Sequence, residues 1–312
     1  MAADLDNPAF EDDDLAREWF EARIWPHGPV CPHCGSNGEG VTKLFGKSCR
    51  PGLFQCNACR EQFTVTVGTV FERSHIGLAK WMLAFRLMAA SKKGVSAHQL
   101  HRMIDVTYKT AWFMAHRIRE AMRETSPEPL GGPGKFVEAD ETFMGGKEGN
   151  KHRSKRKFTR GHGAKEAVLT LVERGGHARS FHVANVTAKA LRPLVVTQIS
   201  RDSHLMTDGA RHYVQPGLLF RAHSAVNHDG GEYVRNGFMH SNTVENYFSI
   251  LKRGVYGVYH HVSEAHLARY LSEFDFRYNS RQLSDRERTD AMLKGSSGKR
   301  LTYRRPLERA AA

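Results

Sequence analysis

The spacing of apolar side chains changes twice along the chain and so predicts three structural regions. From Phe63 to Val67 apolar and polar residues alternate, which predicts a β-strand. From residue 78 the apolar side chains recur at helical spacing, and the apolar face of this predicted helix comprises Leu78, Trp81, Met82, Phe85 and Ala89. Beyond residue 134 strand patterns and helix patterns are mixed, which predicts an α and β domain.

Two shorter helical patterns follow the first helix and are joined by a tight turn. Ser96 and Gln99 resemble a capping box that starts one of them, and Thr107 is placed to cap the other. This arrangement is typical of a helix-turn-helix, although a plain helical hairpin gives the same pattern. On the second helix the side chains predicted to point outward, and to contact DNA phosphates and base edges, are Tyr108, Lys109, Thr110, His116 and Arg117.

The segment "SPEPLGGPG", residues 126–134, separates the helical region from the mixed one. It contains three prolines and three glycines, and neither a helix nor a strand tolerates that density. We therefore predict a domain boundary here. In the region that follows, strands are predicted around "FVEADETFMGG", "AVLTLVE", "SFHVANV" and "SHLMTD", and helices around "TAKALRPLVVTQI", "NTVENYFSILKRG" and "HLARYLSEFDFRYN".

The charge balance adds a partner to this picture. The chain has 312 residues and a net charge of +13, although its first 23 residues contain eight acids and two bases. A basic balance of this size favours a polyanion, most commonly nucleic acid. No stretch approaches the roughly 20 apolar residues of a membrane span, and the acidic start does not resemble a signal peptide. We expect a cytoplasmic protein with no membrane partner.

The five cysteines all lie between residues 31 and 59. Cys31 with Cys34 and Cys56 with Cys59 form two C-x-x-C pairs separated by 21 residues, which is the spacing of a four-cysteine zinc site. Such a site is closed, so we expect a structural Zn²⁺ and not a catalytic one. Cys49 lies outside both pairs and is interpreted as a spare thiol.

Three acids in the mixed region are candidates for metal binding. Each has a simpler explanation alone: Asp140 could face solvent, Asp208 lies in a good turn sequence, and Glu245 could complete a capping box begun by Asn242. Together, two strand-borne aspartates and a helical glutamate can converge at one edge of a sheet. Hard oxygen ligands of this kind bind Mg²⁺ and leave positions open for phosphate and water.

The stretches that carry these acids resemble a known family. "VEADETFMGGK", then "TDG", then "NTVENYFSILKRGVYGVYHHVSEAHLARYLSEFDFRYN" are similar to the ISXO2-like transposases, the bacterial insertion-sequence family related to eukaryotic Merlin elements. The front end, "GPVCPHCGS" and "FQCNACREQFTVTVGTVFE", resembles the zinc ribbon of the same family. The resemblance covers roughly residues 15–281 and is specific in combination, since each stretch is short.

The resemblance implies a metal-dependent transposase with an RNase H-like catalytic domain. By position its DDE triad falls on Asp140, Asp208 and Glu245, which would hold two Mg²⁺ or Mn²⁺ ions. It further implies binding to the terminal inverted repeats of its own element and to target DNA, in a homo-oligomeric synaptic complex associated with the nucleoid. A domesticated transposase that regulates transcription without catalysis, and a stand-alone RNase H-like nuclease, stay open as alternatives.

Further basic side chains are predicted to bind DNA if the chain is a transposase. The segment 147–165 holds eight lysines and arginines and one acid, and we predict that it binds the DNA backbone through residues such as Lys155, Arg156 and Lys157. Lys252, two helical turns after Glu245, either contacts a phosphate or is solvated. The predicted segments are an acidic amphipathic N-terminus (1–24), a zinc ribbon (25–73), a helical DNA-binding segment (74–125), a linker (126–134), the catalytic domain (135–281) and a basic tail (282–312).

Overall fold

The computed structural model describes residues 7–146, 152–156, 165–226 and 240–302. These residues form two compact units. The first unit is drawn from Met1–Arg123 and Leu283–Ala312, and the second from Glu124–Gln282. The structure is mixed α and β, and among the described residues no helix is both long and apolar enough to cross a bilayer.

The first unit combines a small sheet with helices. Its three strands form an antiparallel sheet in the order β1-β2-β3, with β1 at Val41–Lys43, β2 at Phe54–Cys56 and β3 at Gln62–Phe63. Its helices, numbered along the whole chain, are α1 (Asp13–Ile24), α2 (Leu78–Ala90), α3 (Ala97–Ile104), α4 (Tyr108–Met122) and α9 (Asp285–Lys294).

The predicted caps of α3 and α4 are confirmed. The Ser96 side chain accepts a hydrogen bond from the backbone N–H of Gln99, and Thr107 accepts one from that of Thr110. The turn between these helices has no glycine. Instead Asp105 adopts the left-handed conformation at φ 51°, which aspartate tolerates better than most residues.

The outward placement predicted for His116 and Arg117 is wrong. These side chains are only 1% and 8% exposed, because the face of α4 that carries them packs within the first unit. The guanidinium of Arg117 lies over the Phe113 ring at 4.8 Å, and burial lowers its pKa. Arg117 is therefore not retained as a DNA contact.

Two other parts of the first unit differ from the sequence prediction. The strand predicted from Phe63 to Val67 ends at Phe63, because the chain then folds into a turn in which the Val67 N–H donates to the Thr64 carbonyl at 3.0 Å. The segment 282–312, predicted as a basic tail, contains α9. Its buried Met292 and Leu293 belong to the core of the first unit.

The second unit is built on a five-stranded mixed sheet in the order β6-β5-β4-β7-β8. β4 pairs antiparallel with β5 and β5 with β6, whereas β4–β7 and β7–β8 are parallel. The strands are β4 (Phe136–Met144), β5 (Glu166–Glu173), β6 (Ala178–Val183), β7 (His204–Asp208) and β8 (Ala222–Val226). The first four of these strands agree with the sequence prediction, and β8 was not predicted.

Helices cover both faces of this sheet. They are α5 (Ala188–Gln198), α6 (Val214–Gly217), α7 (Asn242–Gly254) and α8 (Glu264–Asn279), and α7 continues into a π-helical turn at Val255–Tyr259. Apolar residues of α5 pack on one face against Val137 and Ala139 of β4. Residues of α7 and α8 pack on the other face against Val168 and Val172 of β5. Leu130, within the predicted linker, is buried in the α5-side core.

Candidate active site

Asp140 and Asp208 occupy matched positions on neighbouring parallel strands. The register of β4 and β7 pairs Ala139 with Thr207, so the residues that follow, Asp140 and Asp208, stand side by side where β7 ends. Parallel neighbours are about 5 Å apart, and residues in register share one face of the sheet. Since Val137 and Ala139 face α5, the alternation along β4 turns Asp140 toward the face covered by α7.

Glu245 lies in the first turn of α7, on this same face of the sheet. Its side chain is exposed, and its Oε1 accepts a hydrogen bond from the Ser241 hydroxyl at 3.3 Å. The capping-box interpretation of Glu245 is wrong: the helix begins at Asn242, and the N-cap position is taken by Ser241, which makes no side-chain cap bond. The cap is supplied from elsewhere, as described below.

The other acids act electrostatically on Asp140. Its pKa is raised to about 7, mainly by partial burial and in smaller part by the charges of Glu141, Asp208 and Glu245, against the opposing effect of the hydrogen bond from the Glu141 N–H at 2.7 Å. A carboxyl in this position is costly to ionise without a nearby positive charge. The oxygen donors of the three acids suit a hard divalent cation. Among the described residues, the ligand atoms of these three acids do not all lie within 4.8 Å of one another, as those of the cysteine cluster do.

Glu141 points to the opposite face and connects β4 with the segment after Asp208. Its Oε1 accepts a hydrogen bond from the Tyr213 hydroxyl and lies 3.0 Å from Nε2 of His212. Burial raises the pKa of Glu141 to about 7, and the Tyr213 hydrogen bond lowers it. The middle of β4 thus carries Asp140 on one face and, through Glu141 on the other face, contacts the segment that follows Asp208.

The four cysteines predicted to bind zinc are brought together. Their sulfur atoms all lie within 4.8 Å of one another, with Cys31 Sγ 3.7 Å from Cys59 Sγ and Cys34 Sγ 3.5 Å from Cys56 Sγ. Four thiolates bound tetrahedrally to Zn²⁺ at about 2.3 Å would be about 3.8 Å apart, so the cluster fits that ion. Cys49 does not belong to the group.

Comparison with known proteins gives these two sites a family. Residues 129–279 match the ISXO2-like transposase domain, and residues 11–62 match the transposase zinc-ribbon domain. A relative from Halobacterium salinarum, described as an uncharacterized protein in transposable element ISH50, is 32% identical over 268 residues, which are 81% of this chain and 86% of the relative. The chain belongs to the ISXO2-like transposase family. The region that carries the three acids therefore belongs to the family's transposase domain, and the four clustered cysteines belong to its zinc ribbon.

The other side chains that were predicted to contact DNA differ in their exposure and in their contacts. Tyr108 is 46% exposed and stacks on His98, with ring centroids 4.3 Å apart. Lys109 is exposed and Thr110 is half-buried beside it. Lys252 is half-buried, with its Nζ 6.0 Å from the centre of the Phe248 ring.

The basic segment 147–165 lies largely outside the described residues. Arg156 is exposed, Lys155 is described only as part of the short turn Arg153–Lys155, and Lys157 lies outside the described residues. Its contact with the DNA backbone stays a prediction.

Sequence reasoning missed two acids of the candidate active site. Glu138 and Glu141 flank Asp140 on β4, and no role was predicted for either from the sequence. The only local signal is the run of acids in "EADE", since their partners lie far away in the chain. Glu141 contacts Tyr213, 72 residues away, and Glu138 contacts Val244, 106 residues away.

Proposed function

We propose that the chain is a metal-dependent DNA transposase that cuts a strand at the end of its own element and joins it to target DNA. The matched register of Asp140 and Asp208, with Glu245 on the helix above the same face, carries the proposal. The second unit supports an RNase H-like assignment, because three antiparallel strands are extended by two parallel ones and the two aspartates lie on adjacent central strands.

The chemistry consists of two phosphoryl transfers at one site. Water attacks first and frees a 3′-hydroxyl, and that hydroxyl then attacks the target strand. The bound Mg²⁺ or Mn²⁺ ions would stabilise the charge on the attacking and leaving oxygens. Asp140, Asp208 and Glu245 would hold these ions, and the protein's own contribution is to fix these ligands on two adjacent strands inside the sheet and on a helix.

The first unit is proposed to recognise the terminal inverted repeats. Its cysteine cluster would hold one structural Zn²⁺, because a three-stranded sheet with strands of two or three residues buries too little apolar surface to be stable alone. Exposed Tyr108 and Lys109 at the start of α4 would reach DNA. Two DNA ends must be cut, so we propose a homo-oligomeric complex acting on nucleoid DNA in the cytoplasm.

The experiment that tests the proposal is cleavage and joining of labelled oligonucleotides that carry the inverted repeats flanking the gene. Glu245→Gln and Asp208→Asn each remove one ligand charge, and we expect both reactions to slow by at least 100- to 1,000-fold, which is about 3–4 kcal/mol in barrier. Binding to the repeat should change little. Asn242→Ala is the matched control, since this exposed residue of the same helical turn is not the N-cap.

The outcomes separate the competing functions. A Glu245→Gln protein that cleaves at the wild-type rate would remove Glu245 from the site. A wild-type protein that binds the repeats but never cleaves them would favour a regulator. Cleavage of RNA–DNA hybrids or branched DNA without preference for the repeats would favour a stand-alone nuclease.

A further inference from the structure

Glu138 is a fully buried carboxylate on β4, two residues before Asp140 and on the same face of the strand. A charge in such a place is unfavourable unless hydrogen bonds and an opposite charge compensate it. Four donors surround it. Oε2 accepts from the backbone N–H groups of Thr243 and Val244 at 2.8 and 2.9 Å, and Oε1 accepts from the Thr243 hydroxyl at 2.9 Å and from Arg174 Nε at 2.6 Å.

Two of these donors belong to the first turn of α7, where backbone N–H groups have no partner within the helix. Normally the N-cap side chain accepts from them, but here the N-cap Ser241 does not. Glu138 therefore caps α7 from the sheet. Its negative charge also lies at the positive end of the helix dipole, where a carboxylate is stabilised.

Arg174 ties a third element into this cluster. It lies between β5 and β6, pairs with Glu138 through Nε, and donates through Nη2 to the carbonyl oxygen of His240 at 2.7 Å. Its own backbone N–H donates to the Phe136 carbonyl at 3.0 Å. Arg174 therefore binds both His240, which precedes α7, and Glu138, which binds the first turn of the helix.

The carboxylate of Glu138 has no capacity left for a metal ion. A carboxylate offers about four lone-pair sites, and four donors at 2.6 to 2.9 Å occupy them. It is also turned toward α7 and shielded from solvent. These contacts exclude Glu138 as a metal ligand and leave it the role of holding α7 in place.

We propose that Glu138 is the positioning residue that fixes Glu245 relative to Asp140. This inference rests on the function proposed above. Glu138 is two residues from Asp140 along one strand, about 7 Å, and holds the N–H of Val244, the residue next to Glu245. One side chain therefore sets the spacing between the strand that carries one acid and the helix that carries another.

The test is the metal dependence of cleavage in Glu138→Gln. The NH₂ group of glutamine would face N–H or O–H donors of Thr243, Val244 or Arg174, and two donors cannot form a hydrogen bond. The first turn of α7 should therefore become less stable. We expect the half-saturating Mn²⁺ concentration for repeat cleavage to rise 10- to 100-fold, as is typical when the support of a metal ligand is lost. The rate at saturating Mn²⁺ should recover to within about tenfold of wild type, since no ligand is removed. In hydrogen exchange, the amides of Thr243 and Val244 should lose protection.

Glu273→Gln is the matched control. Glu273 is also fully buried in the second unit, where its Oε1 lies 2.6 Å from Arg277 Nη2 and accepts from the Tyr259 hydroxyl at 2.7 Å. It belongs to α8, and these two partners lie on α8 and on the π-helical turn after α7. We expect this variant to lose stability while its half-saturating Mn²⁺ concentration stays within about twofold of wild type.

The milder Thr243→Val removes one of the four donors and keeps the shape of the side chain. A rise of about threefold in half-saturating Mn²⁺ is expected, smaller than for Glu138→Gln because three of the four donors to the carboxylate remain. Equal metal dependence in Glu138→Gln and Glu273→Gln would overturn the positioning role while leaving the transposase proposal intact. If Glu138→Gln does not fold, an unchanged metal dependence in Thr243→Val overturns it. Absence of metal-dependent cleavage in wild type would overturn both proposals.

Discussion

Asp140→Asn should stabilise the metal-free second unit at neutral and alkaline pH while abolishing cleavage. Asp140 is half-buried near three other acids, and desolvation of its carboxyl is the main cause that raises its pKa to about 7. In the unfolded chain the same group ionises near 3.8. Asparagine keeps the shape of the side chain and removes the charge that the folded state disfavours.

The sign and size of the effect follow from linkage. A carboxyl whose pKa is raised in the folded state favours folding below its unfolded pKa and loses that contribution as the pH rises through its folded pKa. A shift from 3.8 to about 7 corresponds to about 4 kcal/mol as an upper limit. The advantage of Asp140→Asn over wild type should therefore grow from about 2 kcal/mol at pH 5 to about 4 kcal/mol at pH 8.

Hydrogen exchange of the β4–β5 backbone amides, in buffer free of Mg²⁺ and Mn²⁺, measures this difference. No chelator is added, so that zinc stays on the cysteines. All four tryptophans, Trp19, Trp25, Trp81 and Trp112, lie in the first unit, so their fluorescence serves as an internal control and should not respond. Adding Mn²⁺ at pH 8 should stabilise wild type and leave Asp140→Asn unchanged.

Two results would contradict the prediction for Asp140→Asn. If Asp140→Asn is less stable than wild type at pH 8 without metal, the folded state does not disfavour the ionised carboxyl of Asp140. If both proteins show the same dependence of stability on pH, the group does not titrate in the range that burial implies.

Further predictions concern the other assigned residues. Purified wild type should contain about one Zn²⁺ per chain, and the double variant Cys31→Ser with Cys56→Ser should lose it; metal analysis that finds full occupancy in the variant would contradict the site. Changing Lys155, Arg156 and Lys157 to alanine should reduce the slope of log K against log salt for duplex DNA by about two to three units. An unchanged slope would mean that these side chains are merely solvated.

Much of the second unit could be predicted from the sequence because its strands are strongly apolar or clearly patterned. The helix around Pro193 was predicted correctly, although this proline lies inside α5 and removes one backbone hydrogen bond, because apolar residues such as Leu191 and Val195 bury one side of the helix. β8 was missed because "AHSAV" at Ala222–Val226 is short and mixed, and only its place beside β7 makes it a strand.

The candidate site could be predicted only in part. The family resemblance marked Asp140, Asp208 and Glu245, but the role of Glu138 depends on backbone donors more than 100 residues away. Helical periodicity also could not reveal that Arg117 is buried, because a helix can be covered on more than one face. Such outcomes depend on long-range packing that no local pattern encodes.

The return of α9 to the first unit has a consequence for synthesis. The chain leaves this unit after Arg123 and comes back at Leu283, and the Lys299 ammonium then donates to the carbonyl of Ala121 at 3.2 Å. The first unit is therefore completed only when the ribosome has released the last residues of α9, after the whole second unit has emerged. A chain interrupted before residue 283 would carry the acids of the candidate active site, but its first unit would lack the helix that packs on α1 and α2. Only a translation product that extends past α9 contains all the helices and strands of both units.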